Sequence, residues 1–183
     1  MFGGSFDPVH HGHLALARAC RDAAGLDEVW LVPAAVQPHK PHGPVASNED
    51  RLTMLRLATD ADPTLRVSDL EIARGGVSYT VDTLRAVHAD RPDAELYLLM
   101  GADTLADLAK WREPEAIRQL ASLLVVHRPG EPLPDGEGFT VVEMPLSDLS
   151  SSEIRRRVAA GESIDGMTPE QVVSYIADRG LYR

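Results

Sequence analysis

Cysteine and lysine are almost absent from this chain: 183 residues contain one cysteine, Cys20, and only two lysines, Lys40 and Lys110. A single cysteine excludes an internal disulfide and fits a reducing, cytoplasmic setting. Placed in a helical stretch, Cys20 reads as a buried structural thiol rather than a nucleophile. Long apolar runs are missing too. Residues 16–19 form too short a run to cross a bilayer, no later stretch does better, and no basic leader precedes an apolar segment. Positive charge is scarce overall, with a formal net charge of −10. That balance argues against a surface that coats nucleic acid, and any nucleotide ligand needs its cations gathered locally. Internal repeats and domain-dividing linkers are also missing. With 44% hydrophobic residues, the length suits one domain over residues 1–183 with an ample core.

Against these absences stands one dense stretch, Gly3-Gly4-Ser5-Phe6-Asp7-Pro8-Val9-His10-His11-Gly12-His13. Turn residues crowded ahead of Leu14-Ala15-Leu16-Ala17 read as a loop entering a helix N-terminus. Such an end offers unpaired backbone N–H groups and a positive dipole, a natural seat for phosphate. His10 and His13 can donate further hydrogen bonds there, and Gly12 permits close approach of a ligand to the backbone. With ordinary pKa values of about 6.5, both imidazoles are expected to be partly protonated. Two other readings stand beside this one. The histidines could make only local structural bonds, or His10, His11, His13, His39 and His42 could contribute to a metal site.

Downstream, apolar strand-like runs alternate with helical patterns. Strands are expected over residues 28–33, 65–69, 95–100, 122–126 and 139–144. Helices are expected over residues 12–24, closed by Gly25, after Ser47, after Thr80, from Pro114, from Ser150 and near Pro169. Ser150 with Glu153 forms a capping box, and Thr168 with Gln171 repeats that logic. The alternation predicts an α/β fold: a Rossmann-like, doubly wound parallel sheet with helices on both faces, binding ligands at the strands' carboxyl ends. The loops sharing that edge hold His10, His13, Lys40, Asp103 and Arg128. No G-x-G-x-x-G follows a strand, which disfavours a dinucleotide dehydrogenase.

Residues 4–13 resemble the GxFDPxHxGH loop of the nucleotidyltransferase superfamily. Leu149-Ser150-Ser151-Ser152-Glu153-Ile154-Arg155 resembles its second motif, ISSTxIR, with Leu149 and Ser152 as mild departures. Ser78-Tyr79-Thr80-Val81-Asp82-Thr83-Leu84 is similar to the SYTxxTL segment of bacterial nicotinate-nucleotide adenylyltransferases. Lys110-Trp111 is similar to their K-W segment. The resemblance implies transfer of an adenylyl group from ATP to nicotinate mononucleotide, giving deamido-NAD and pyrophosphate, with Mg²⁺ accompanying ATP. It implies His10 and His13 as the catalytic pair. It places Gly4, Ser5, Phe6, Lys40, Gly101, Asp103, Arg128, Ser151 and Arg155 around ATP and its phosphates. Thr80 would receive the nicotinate carboxylate and Trp111 would stack on the pyridine ring, as an indole face suits a flat, electron-poor ring.

Family members carry a full first strand ahead of the glycines, whereas only Met1 and Phe2 precede them here. The expectation is therefore a truncated central strand and a natural start several residues upstream of a mis-set Met1. Rivals keep the chemistry and change the acceptor, to nicotinamide mononucleotide or phosphopantetheine. Another is a non-catalytic nucleotide-binding relative, supported only by the missing strand. Association into a homo-oligomer is compatible with the resemblance; membranes and nucleic acid are not expected partners.

Overall fold

A computed structural model describes residues 1–38, 43–127, 136–144 and 148–183. Six strands form one sheet: β1 (Phe2–Gly4), β2 (Val29–Pro33), β3 (Leu65–Val67), β4 (Tyr97–Gly101), β5 (Ser122–His127) and β6 (Phe139–Glu143). Their order is β3-β2-β1-β4-β5-β6, and every pairing is parallel. The helices are α1 (His11–Ala24), α2 (Asn48–Thr59), α3 (Leu70–Arg74), α4 (Thr80–Asp90), α5 (Ala102–Asp107), α6 (Pro114–Leu120), α7 (Ser151–Ala160) and α8 (Glu170–Arg179), with a 3-10 turn at Leu108–Lys110. The chain winds outward from β1 to β3, crosses back, and winds the other way from β4. The switch point therefore lies between β1 and β4, where an open parallel sheet leaves a crevice at its carboxyl edge.

Alternation along the strands sorts the core into two layers. Leu99, Leu124, Val126 and Val142 face one side, with Leu14 and Ala17 of α1, Met54 and Leu55 of α2, Ile154 of α7 and Val172 and Ile176 of α8. Leu98, Met100, Leu123 and Val125 face the other, with Val81 and Leu84 of α4, Leu105 of α5 and Ile117 of α6. A strand buried on both faces must be apolar at every position, which is why β4 and β5 read as unbroken hydrophobic runs. Capping residues set the helix ends. Gly25 adopts φ 62 and its N–H donates to Arg21 O, closing α1. Ser47 Oγ accepts from Asp50 N at 3.1 Å and opens α2.

Several sequence expectations need correcting. Gly3 and Gly4 are the last two residues of β1, not a turn. The central strand forms, flanked by β2 and β4, and the ladder reaches Met1, whose N donates to Tyr97 O at 2.6 Å and whose O accepts from Leu99 N at 2.9 Å. Helix α3 was not anticipated: at five residues it is too short to show a helical period. Thr80 is the first residue of α4, and Tyr79 holds the cap position. Thr168 does not cap α8, because its hydroxyl is used elsewhere. The capping box at α7 is half made: Ser150 Oγ accepts from Glu153 N at 3.1 Å, and the Glu153 carboxylate accepts instead from Arg156 and Arg157 on the surface.

Candidate active site

The loop leaving β1 is heavily braced by distant parts of the chain. Phe6, at φ 48, turns its ring into the core, where it is 1% exposed and packs edge-on to Phe2 at 5.4 Å. His13 packs against the same ring at 5.0 Å between centroids and lies 6.0 Å from Phe2, so the three rings form one cluster. The His10 and His13 rings stack at 3.7 Å. Backbone N–H of His10 donates to His13 Nδ1 at 3.2 Å. Since Nδ1 accepts, the proton of neutral His13 is inferred to sit on Nε2, which makes Nε2 a donor.

His10 departs from the expected partial protonation. Burial, and secondarily the charge of His11, lower its pKa to about 4, so it is neutral at pH 7. Its Nδ1 is buried without a hydrogen-bond partner among the described residues. His11, in the variable position of the motif, is exposed.

Four separate elements hold this loop. From α7, Ser151 Oγ donates to Pro8 O at 2.8 Å and Arg155 Nη1 donates to Asp7 O at 2.6 Å. From α2, Arg51 is fully buried and donates to Ser5 O at 2.7 Å, Ala34 O at 2.6 Å and Asn48 Oδ1 at 2.6 Å. Val45 N and Ala46 N donate to the Asp7 carboxylate at 2.7 and 3.0 Å. The fourth holder is the chain end: Tyr182 OH donates to Asp7 Oδ1 at 2.8 Å, Thr168 Oγ1 to Val9 O at 2.8 Å, and His11 N to Met167 O at 3.0 Å. Two helix N-termini, those of α1 and α7, thus converge on residues 7–10. Their dipoles and free N–H groups favour an anion between them.

Beside this loop lies a cavity of about 880 Å³ at the switch point. Gly4, Thr80, Gly101, Asp103 and Trp111 all line it, together with Ser78, Tyr79 and Glu71. Its walls are fixed by polar contacts. Ser78 Oγ accepts from Ala35 N at 2.9 Å, and Thr83 Oγ1 donates to Glu71 Oε1 at 2.7 Å beneath the start of α4. Arg112 lies over the Tyr79 ring at 4.9 Å, and Arg85 grips Glu113 at 2.6 and 3.1 Å, pinning the segment that carries the half-buried Trp111. Lys110 and Asp107, both exposed and on the cavity's rim, pair at 2.6 Å. A Cβ on Gly101 would meet Asp103 Oδ1 at 2.5 Å. The missing side chain at 101 therefore makes room for the Asp103 carboxylate.

The structure thus brings the expected residues into two adjoining groups. Gly4, Ser5, Phe6, His10, His13, Ser151 and Arg155 gather on the braced loop; Thr80, Gly101, Asp103 and Trp111 gather around the cavity, which Gly4 joins to the loop. The Phe6 ring is core and closed to ligands, so only its backbone faces that role. Lys40 and Arg128 lie outside the described residues, as do His39 and His42. Among the described residues no group of three or more His, Cys, Asp or Glu side chains is gathered to hold a metal. Sequence reasoning missed Asp7, Arg51, Thr168 and Tyr182. Asp7 stood in plain view inside the motif, whereas the other three carry no local signal, since their partners lie 46, 159 and 175 residues away.

Comparison with known proteins agrees with this geometry. A family model described as cytidylyltransferase-like matches residues 1–157. A probable nicotinate-nucleotide adenylyltransferase of Roseiflexus sp. (strain RS-1) is 46% identical over 193 residues, covering 100% of this chain and 96% of that protein. The probable nicotinate-nucleotide adenylyltransferase of Streptomyces coelicolor (strain ATCC BAA-471 / A3(2) / M145) is 44% identical, covering 99% and 98%. Among solved structures, Plasmodium falciparum nicotinic acid mononucleotide adenylyltransferase complexed with NaAD superposes with TM-score 0.80 at 19% identity, covering 99% of this chain and 95% of that one. At that identity the likeness speaks for the fold alone.

Proposed function

Because this chain belongs to the cytidylyltransferase-like family, and within it to the nicotinate-nucleotide adenylyltransferases, we propose that its braced loop handles the phosphates of ATP while the adjoining cavity holds the pyridine nucleotide. The enzyme transfers AMP from ATP to nicotinate mononucleotide, releasing pyrophosphate and forming deamido-NAD in NAD biosynthesis. The observation that carries the division of labour is the convergence of α1 and α7 on residues 7–10, next to a cavity containing Thr80 and Trp111.

An oxygen of the acceptor's 5′-phosphate attacks the α-phosphorus in line. The bond from that phosphorus to the oxygen bridging toward the β-phosphate breaks, and pyrophosphate leaves with the electron pair. No covalent enzyme intermediate is needed, because this chemistry asks mainly for positioning and charge neutralisation. His13 donates from Nε2, and neutral His10 adds an imidazole that can donate from one nitrogen. Arg155 supplies fixed positive charge from the first turns of α7, and the free N–H groups of both helices complete the anion seat. Gly4 and Ser5 bring backbone close to the phosphates, with Ser151 holding the two motifs in register.

Lys40 and Arg128 belong to the same proposal as further cations. A Mg²⁺ ion carried in by ATP would add charge neutralisation at the phosphates. The side chain of Asp7 is already engaged by Val45, Ala46 and Tyr182, which fits a metal carried by the nucleotide rather than by the protein. In the cavity, Thr80 at the N-terminus of α4 receives the nicotinate carboxylate, Trp111 stacks on the ring, and Asp103 accepts from ribose hydroxyls. The three residues of β1 pair with both β2 and β4, which supports a catalytic member over a non-catalytic relative. Among the described residues no helix is long and apolar enough to cross a membrane. A cytoplasmic setting, where the buried Cys20 thiol is held up to about 11 and unreactive, suits the proposal.

The test is pyrophosphate release with ATP and Mg²⁺, comparing nicotinate mononucleotide, its amide and phosphopantetheine. The nicotinate form is expected to win in kcat/KM by about a hundredfold, because the amide keeps the shape but mispairs one polar group, a cost of roughly 1–3 kcal/mol. Equal or better use of the amide would overturn the acceptor assignment.

A further inference from the structure

The family model ends at residue 157, yet three hydrogen bonds tie residues beyond it to Asp7, Val9 and His11, within a stretch of five residues around the catalytic loop. We propose that residues 164–182 are a positioning clamp for that loop, with Thr168 and Tyr182 as its working side chains. The proposal rests on the phosphate-handling role of the loop given above.

The three contacts flank His10 on both sides. Tyr182 OH reaches Asp7 Oδ1, Thr168 Oγ1 reaches Val9 O, and Met167 O receives His11 N. Thr168 is 2% exposed and Asp7 3%, so water does not compete for these bonds. Tyr182 is held at φ 63, a left-handed backbone that a bulky residue rarely adopts, and it delivers its phenol to the carboxylate from there. Burial, and the Asp7 charge, push that phenol far above its ordinary pKa, so it stays a donor at every working pH. Asp7 in turn presents its carbonyl to Arg155 and its carboxylate to Val45 and Ala46. The clamp therefore fixes Asp7, which ties both α7 and the 45–46 segment to the loop.

None of residues 164–182 lines the acceptor cavity. A clamp failure should displace the phosphate-handling groups and leave the pyridine seat intact. A purely structural role would instead lower stability without separating the two halves of the site.

Tyr182→Phe and Thr168→Val keep the apolar bulk and remove one hydroxyl each. Each variant is expected to lower kcat about tenfold, because small displacements of reacting groups are costly, while KM for nicotinate mononucleotide stays within about twofold. Thr168→Ser retains the hydroxyl and should return kcat to the parent value. Thermal unfolding reports the folded fraction, and His13→Ala runs alongside as the control for the loop. Folded Tyr182→Phe and Thr168→Val proteins with unchanged kcat, beside an inactive His13→Ala, would overturn the clamp alone. A Thr168→Ser protein as impaired as Thr168→Val, or a KM rise matching the kcat loss, would also overturn it. A fully active, folded His13→Ala protein would remove the loop's catalytic role and the clamp with it.

Discussion

Two histidines three residues apart behave differently because their surroundings differ. His13 has its Nδ1 occupied by the His10 amide, which fixes its tautomer and leaves Nε2 to donate. His10 is 7% exposed, and burial lowers its pKa to about 4. An unfolded histidine takes up its proton near pH 6.5, so between about pH 6.5 and 4 the unfolded chain binds more protons at this position than the folded one. Stability is therefore expected to fall as pH drops through that window, by up to roughly 3 kcal/mol, with no contribution from this group above it. Urea unfolding at pH 7 and near pH 4, in the parent and in His10→Asn, isolates the effect from the carboxylates. An equal pH loss in both proteins would refute it.

Helix α2 shows how an element far from the motif can set the motif's shape. Its hydrophobic residues explain why it packs on the sheet, but Arg51 explains what it does there. That guanidinium, with no exposure at all, spans Ser5 O and Ala34 O, the starts of the loops after β1 and β2. Arg51→Met keeps most of the buried stem and strips the donors, leaving two interior carbonyls unpaired. The expected loss is about 3 kcal/mol by denaturant unfolding; a loss below about 1 kcal/mol would mean that solvent or a neighbour replaces the guanidinium easily. Helix α7 was far more legible, since Ser150, Ser151 and Arg155 sit together in sequence and only one local ring of contacts is needed to place them. Helix α3 was not legible, yet it supplies Glu71 to the cavity wall.

The whole molecule has two apolar layers sharing one sheet, and residues 1–183 are proposed to unfold as a single unit. Leu123 and Leu124 are neighbours on β5 that point into opposite layers, at 2% and 1% exposure. Leu123→Ala and Leu124→Ala should each cost about 2–5 kcal/mol and shift one common transition. Calorimetry that resolved two transitions, with each substitution moving only its own, would show the layers to be separable. The same sheet explains why one edge carries the site. The order β3-β2-β1-β4-β5-β6 parts the loops after β1 and β4, and the cavity fills the space between them.

Taken alone, the sequence determined what depends on local physics: strand and helix alternation, the caps at Gly25 and Ser47, the loop that enters a helix N-terminus, and the pair of motifs that open helices. These follow from periodicities and turn chemistry within a few residues of one another. Tertiary structure decided what depends on distant partners. It made Gly3 and Gly4 strand rather than turn, because β2 and β4 flank them. It made His10 neutral, because the fold buries it. It sent the Thr168 hydroxyl to Val9 and the Tyr182 phenol to Asp7, across 159 and 175 residues. No local pattern encodes such contacts; a side chain's charge state and its hydrogen-bond partner are set by where the folded chain excludes water, and that is a property of the whole packing.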